Sequence, residues 1–179
     1  MPCRSPCLVA LSAGVFAAIA NPANALDMPA RKPGLWELRM AFENSRIPER
    51  TMQQCIDAAT DKLMNTGFGG GAQENCSKQD TQHVGSTLVI DSTCTFGPAT
   101  TTSHAVVTGS FDSAYSVDVT STRQGAPAPG MAPTGSTHMK MEAKWLGPCA
   151  ADQKPGDVVT NGRKMNLLDL QKMRAPKQP

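Results

Sequence analysis

The sequence has 179 residues, a net charge of +2 and an aromatic content of 4%. A chain of this length is typical of a single domain. The low net charge and the scarcity of aromatic side chains exclude a strong phosphate-binding field and a base-stacking surface, so we do not expect a nucleic-acid-binding protein.

The first 25 residues have the pattern of a secretory signal peptide. Arg4 precedes an uncharged apolar stretch over residues 8–20, and an Ala-Asn-Ala triplet ends at Ala25. We predict cleavage between Ala25 and Leu26, which places the mature protein in the periplasm or outside the cell. The apolar stretch is too short to cross a membrane and no later stretch is long enough, so we predict no transmembrane segment.

Four cysteines remain after cleavage: Cys55, Cys76, Cys94 and Cys149. An even number of cysteines in an exported chain indicates two disulfides, and four cysteines allow three pairings. Zinc sites use closely spaced cysteine pairs, whereas the nearest two here are 18 residues apart. We therefore expect structural disulfides rather than a metal site or a catalytic thiol.

The position of a turn favours one of the three pairings. Between Cys76 and Cys94 the turn signal near the middle is Gly85-Ser86, and a hairpin turning at Gly85 places the two cysteines opposite each other. A strict two-residue turn would shift the register and put them on opposite faces, so we predict a three-residue or bulged turn. Cys55 and Cys149 then pair by elimination.

Most of the mature chain alternates with the two-residue period of strands. In residues 34–44, for example, Trp36, Leu38, Met40 and Phe42 share one face. Short connections between successive strands predict a mainly β fold with an antiparallel up-and-down sheet, either curved or partly closed into a barrel. The other predicted strands outside the hairpin cover residues 51–55, 99–111, 114–124 and 136–146. A loop rich in proline and glycine, residues 125–135, interrupts them.

One or two short helices complete the expected fold. Asp57 is the expected N-terminal cap of a helix that ends at Gly67. Asn166 is the expected N-terminal cap of a second helix over residues 167–173. The expected organisation is a signal peptide (residues 1–25), a β-rich domain (residues 26–149) and a basic C-terminal extension with a short helix (residues 150–179).

Three short motifs resemble those of a bacterial family of exported domains of unknown function, DUF3617. They are Pro33-Gly34-Leu35-Trp36-Glu37 after the signal peptide, Met52-Gln53-Gln54-Cys55-Ile56, and Trp145-Leu146-Gly147-Pro148-Cys149, with a cysteine pair between the second and third. The resemblance covers nearly the whole mature chain up to Cys149. It implies a small, exported, largely β domain with paired cysteines in Gram-negative bacteria, and it implies no reaction.

No motif for catalysis or cofactor binding stands out. The three histidines, His83, His104 and His138, fall in different predicted strands, which is typical of surface positions. Asp57 and Asp61 share one face of the first helix, and we interpret them as capping and solubilising residues. We therefore assign no catalytic, cofactor-binding or metal-binding residue, and we favour a protein that is not an enzyme.

The best chemical alternative is a periplasmic copper-binding protein. His138 stands beside Met139 and Met141, whose thioethers suit copper(I). Strand alternation opposes this alternative, because it places the two methionines on one face and His138 on the other. Core packing beside Trp145 is the simpler interpretation of the methionines.

The leading hypothesis is a non-enzymatic binding or envelope-associated module without a cofactor. We expect a monomer whose partner is a small hydrophobic ligand, held on a concave apolar sheet face, or an envelope protein. A hydrolytic enzyme with a site assembled from separated strands is a third hypothesis.

Overall fold

The fold is a single antiparallel sheet with two short helices. A computed structural model describes residues 28–43, 47–69, 76–125 and 134–174. The predicted signal peptide, its cleavage site between Ala25 and Leu26, and most of the predicted loop over residues 125–135 lie outside these residues. In chain order the elements are β1 (Gly34–Glu43), β2 (Arg50–Ile56), α1 (Ala58–Gly69), β3 (Cys76–Val84), β4 (Thr87–Phe96), β5 (Ala99–Ser110), β6 (Ala114–Gln124), β7 (Gly135–Gly147), β8 (Asp157–Thr160), β9 (Arg163–Asn166) and α2 (Leu167–Arg174).

The nine strands follow the spatial order β3-β4-β5-β6-β7-β1-β2-β8-β9. Strands β3 to β7 form an up-and-down meander, and β1 lies between β7 and β2. The predicted mainly β, antiparallel fold is confirmed. Within the described residues β3 and β9 are the two edges, so the sheet is open rather than closed into a barrel. Neither helix of this part of the chain is long and apolar enough to cross a membrane.

The core lies on the face of β1 that the sequence alternation identified. Trp36 and Leu38 are 0% and 1% exposed, and Met40 and Phe42 further along the strand are half-buried. Because β1 is central, these side chains meet residues from both neighbouring strands. The buried cluster consists of Trp36, Leu38, Ile56, Met64, Leu88, Ile90, Val107, Tyr115, Val117, Met141, Ala143 and Val158.

Both predicted disulfides are present, Cys55–Cys149 and Cys76–Cys94. The predicted turn between Cys76 and Cys94 was wrong in one detail. Val84 pairs with Thr87, so Gly85 and Ser86 form a strict two-residue turn, and Gly85 has a φ of 62°. The register shift occurs instead between Cys76 and Lys78, where a bulge brings Cys76 opposite Cys94.

The predicted caps are confirmed at both helices. The Asp57 carboxylate accepts a hydrogen bond of 2.8 Å from the backbone N–H of Thr60 at the start of α1. Helix α1 ends at Gly69 rather than at the predicted Gly67. The Asn166 side-chain oxygen accepts hydrogen bonds from the backbone N–H groups of Leu168 and Asp169 at the start of α2.

Two short strands in the C-terminal region were not predicted. β8 pairs with β2, where Gln54 lies opposite Val158, and β9 extends the sheet by one further strand. Each has only four residues, which is too short to show an alternating pattern in the sequence. Residues beyond Cys149 therefore contribute to the same sheet as β1.

We predict that the two disulfides differ in their contribution to stability. The Cys55–Cys149 bond spans 94 residues and the Cys76–Cys94 bond spans 18. Loop-closure entropy then predicts losses in the free energy of unfolding of about 4–5 kcal/mol for a Cys55→Ser/Cys149→Ser variant and about 3 kcal/mol for Cys76→Ser/Cys94→Ser. Urea unfolding of both variants and the parent protein measures these losses. Equal losses, or a larger loss for the hairpin variant, would contradict the prediction.

Candidate functional site

The two faces of the sheet differ in charge. Directly paired residues of neighbouring strands share a face, so Glu37 opposite Lys144 and Asp91 opposite His104 belong to the face that does not carry Trp36. We call this the outer face and the Trp36 side the inner face. Within the described residues, every carboxylate on strands β1 to β7 lies on the outer face: Glu37, Glu43, Asp80, Asp91, Asp118 and Glu142.

The half of the inner face nearest α1 is closed. Met64 of α1 belongs to the same buried cluster as Trp36, Leu38 and Tyr115. The Trp36 and Tyr115 rings are tilted against each other, with centroids 5.6 Å apart. Side chains therefore fill this half of the apolar face.

A buried polar cluster fastens α1 over this closed half. Arg31 is 5% exposed and Asp61 of α1 is 1% exposed. The Arg31 Nε donates to Asp61 Oδ1 at 2.7 Å, and the Arg31 backbone N–H donates to Asp61 Oδ2 at 2.9 Å. Arg31 Nη1 also donates to Gln54 Oε1 at 3.0 Å, which connects the pair to β2. We call Arg31, Gln54, Asp61 and Tyr115 the polar cluster.

Tyr115 joins this cluster from β6. Its burial raises the pKa of the phenol, and the positive charge and hydrogen bonding of Arg31 act in the opposite direction. The interpretation of Asp61 as a solubilising residue was wrong, because its carboxylate is buried against Arg31. Since the members come from four separate segments that are enclosed at the helix–sheet junction, the cluster has a structural role.

The inner face further from α1 is less covered. Six residues along β1 from Trp36, roughly 20 Å at the usual rise of a strand, Phe42 is half-buried. It lies opposite Met139, which pairs in turn with Val119, and Val119 pairs with Ala105. These four half-buried apolar residues form a row across β5, β6, β7 and β1. We call them the distal patch.

A row of hydroxyl groups follows the distal patch on the same face. Ser103 pairs with both Ser92 and Ser121, and Ser121 pairs with Thr137. The Ser121 and Thr137 hydroxyl oxygens are 2.8 Å apart, within hydrogen-bonding distance. Ser92, Ser103, Ser121 and Thr137 are here called the hydroxyl row. Going away from α1, the inner face thus changes from buried apolar to half-buried apolar and then to uncharged polar.

His138 bridges two carboxylates on the outer face. Its Nδ1 is 2.8 Å from Glu43 of β1, and its Nε2 is 2.7 Å from Asp118 of β6. The hydrogen bond to Asp118, and then that to Glu43, raise the pKa of the imidazole above its usual value. Both ring nitrogens donate only when the ring is charged, so the protonated imidazole fits this bridge.

The structure gives the copper-binding alternative no support. His138 points to the outer face, whereas Met139 and Met141 lie on the inner face, and Met141 is part of the buried core. Both His138 nitrogens already contact carboxylates on opposite sides of the ring. In the part of the chain that the structure describes, no group of three His, Cys, Asp or Glu residues is placed to hold a metal ion.

The other two histidines, His83 and His104, lie on different strands from His138. His83 is exposed on the edge strand β3, and His104 of β5 pairs with Asp91 of β4 at 2.8 Å. The His104 side chain is 54% exposed on the outer face, where water has free access. An exposed His–Asp pair alone does not make a catalytic site, because catalysis also needs a positioned nucleophile and a shielded pocket.

A groove of about 510 Å³ crosses the outer face over strands β1, β5, β6 and β7. Its lining includes Glu37, Arg39, Lys144 and Leu146. Arg39 donates to Glu37 at 3.0 Å, so two of these charges neutralise each other. Small-molecule sites are usually enclosed and mainly apolar. This groove instead lies on the charged outer face, and several charged and polar side chains line it.

The three sequence motifs meet at one end of β1. Leu35 pairs with Cys55 on one side and with Gly147 on the other. Gly34 has a φ of 134°, and a side chain there would collide with the Gly147 carbonyl, so the position requires glycine. The Cys55–Cys149 disulfide closes the same junction. The motifs thus specify how β1, β2 and β7 join.

The sequence profile of DUF3617, a family of proteins of unknown function, matches residues 31–149. This range contains all the residues of the junction. The chain belongs to the DUF3617 family. The match begins at Arg31 of the polar cluster and ends at Cys149 of the long-range disulfide. No curated protein and no solved structure matches the chain. In this DUF3617 chain, the three short motifs of the sequence are therefore parts of one structural junction.

We predict that Asp61 is far more important for stability than its neighbour Asp57. An Asp61→Asn variant leaves the buried Arg31 guanidinium without a carboxylate, which costs about 3–5 kcal/mol of unfolding free energy. Asp57→Ala, the matched control, loses a helix cap and costs about 1 kcal/mol. Chemical denaturation distinguishes the two variants. Similar losses would show that Asp61 is not the anchor of α1.

We predict a pH-dependent contribution of His138. Because folding raises its pKa, the imidazole stabilises the fold fully below its unfolded value of about 6.5, and this contribution is lost as the pH rises through the higher folded value. His138→Gln should therefore destabilise more at about pH 5.5 than at about pH 8.5. Asp118→Asn should weaken the same pH dependence. A His138→Gln effect that is equal at both pH values in urea unfolding would contradict the prediction.

Proposed function

We propose that this chain is an exported, non-enzymatic binding module that holds a small apolar ligand on the distal patch. We place it in the periplasm or outside the cell. Two disulfides support this location, because disulfides are rare in the cytoplasm. The predicted cleavage between Ala25 and Leu26 supports it from the sequence.

The main support for the proposal is that the burial of apolar side chains decreases along the inner face. Trp36 and Leu38 are almost completely buried, whereas Phe42 and Met139, on the same face and in the same strand pair, are only half-buried. An apolar row that retains contact with water is a surface from which a ligand gains free energy by displacing that water.

The size of the patch limits the affinity. A ligand that removes about 300 Å² of apolar surface from water gains about 7 kcal/mol. Part of this gain offsets the freedom that the ligand loses on binding. We therefore expect micromolar or weaker dissociation constants. The alternative partner, an envelope protein, stays a prediction.

A neutral apolar fluorophore, N-phenyl-1-naphthylamine, tests the proposal. Val119 of the distal patch and Val106 of the outer face lie on adjacent strands and are both half-buried, so they form a matched pair. Val119→Thr adds a hydroxyl to the apolar row and should weaken fluorophore binding about three- to tenfold, a loss of about 1 kcal/mol. Val106→Thr should leave binding within about twofold, because its side chain faces away from the patch.

Fluorescence titration of the disulfide-bonded protein and both variants measures these affinities. Circular dichroism confirms that the variants keep the fold. The absence of binding to the parent protein would refute the proposal. A larger effect of Val106→Thr than of Val119→Thr would place the apolar site on the outer face instead.

A further inference from the structure

The inner face carries positively charged side chains in addition to the apolar distal patch. No strand carboxylate of β1 to β7 lies on it among the described residues, whereas Arg50 and Arg123 both do. Arg50 lies opposite Met40, and Arg123 lies opposite Thr101. Among the described residues, the side chains that strands β1 to β7 place on the inner face are therefore uncharged or positive, while their carboxylates all lie on the outer face.

Arg123 stands at the polar end of this face. It follows Val119 of the distal patch and Ser121 of the hydroxyl row at intervals of two residues along β6, so all three side chains point to the same side. Its Nε donates to the Thr101 hydroxyl at 3.2 Å, which orients the guanidinium at this end of the face. Moving along β6, the face presents an apolar row, then hydroxyl groups, then a cation.

We propose that the ligand of the distal patch is a single-chain amphiphile with an anionic headgroup. This inference rests on the proposed function and adds the chemical class and orientation of the ligand. The hydrocarbon tail lies against Phe42, Val119 and Met139, because these apolar residues of the distal patch are in partial contact with water and lie next to the hydroxyl row. The headgroup lies towards Arg123, where the hydroxyl row donates hydrogen bonds and the positive charge favours a carboxylate or a phosphate.

A cationic headgroup is disfavoured by the same arrangement. Placed on the inner face, it would lie beside Arg123 and on the opposite side of the sheet from the strand carboxylates. The difference between anionic and cationic amphiphiles of equal chain length therefore isolates the headgroup contribution, since the tail contacts are the same.

Displacement of N-phenyl-1-naphthylamine by twelve-carbon amphiphiles tests the inference. Dodecanoate, dodecyl phosphate and dodecyltrimethylammonium are added below their micelle-forming concentrations to the disulfide-bonded protein. We expect the better of the two anions to displace the fluorophore at a concentration at least about fivefold lower than the cation, which corresponds to about 1 kcal/mol. The stronger of the two anions identifies the headgroup as carboxylate or phosphate.

Two variants locate the headgroup. Arg123→Gln should reduce the anion preference to about twofold or less, because the cation at the polar end is removed. Arg39→Gln is the matched control, since Arg39 lies on the outer face and is 59% exposed. It should leave the preference unchanged. Higher salt should reduce the preference in the parent protein.

The possible failures are distinguishable. If the fluorophore binds but the anions and the cation displace it equally, the amphiphile inference is wrong and the apolar site stands. A preference that survives in Arg123→Gln, or that disappears in Arg39→Gln, would also overturn the inference, because the headgroup would then lie elsewhere. Failure of the fluorophore to bind overturns the proposed function, and this inference with it.

Discussion

The ion pair between Arg31 and Asp61 is the constraint on which the arrangement of the inner face depends. Two nearly buried charges are costly to remove from water, and the cost is offset only when both are well paired and hydrogen-bonded. Here Asp61 accepts from the backbone and the side chain of Arg31, and the guanidinium also donates to Gln54. Because Asp61 belongs to α1 and Gln54 to β2, the pair determines where the helix lies on the sheet.

This position of the helix divides the inner face into two halves. At the closed half, α1, the polar cluster and the Cys55–Cys149 disulfide all converge on the start of β1. The distal patch lies roughly 20 Å away along the strands and is less covered. The conformational freedom of the chain is therefore restricted at one end of the sheet, while the binding surface that we propose lies at the other. This separation means that substitutions in the distal patch leave the contacts of the junction in place.

Much of the sheet could be predicted from the sequence because a strand repeats every two residues. The alternation of Trp36 and Leu38 in β1 identified the buried face, and the alternation in β7 placed Met139 inward and His138 outward. The hairpin between Cys76 and Cys94 followed from the position of Gly85. The bulge beside Cys76 could not be located in advance, because the sequence contains no signal for which strand absorbs the extra residue.

The polar cluster and the distal patch needed the structure. Arg31 and Asp61 are 30 residues apart, and each looks like an ordinary surface residue in its own segment. Their burial depends on where α1 lies, which helical periodicity alone does not determine. The half-buried state of Phe42 depends likewise on which parts of the chain pack over the end of β1, and the alternation of β1 does not determine this. The charge difference between the faces was detectable, since each strand carboxylate falls on the outward register of its strand, but it becomes clear only when the strands are aligned.

The central claim is that the distal patch of the inner face, rather than the outer face, is the binding surface. Methyl resonances give the most direct test. On addition of N-phenyl-1-naphthylamine, the account predicts that the methyl signals of Ala105, Val119 and Met139 shift in a saturable way, while those of Val89 and Val106 on the outer face do not. Shifts confined to Val89, Val106 and the outer groove residue Leu146 would contradict the account.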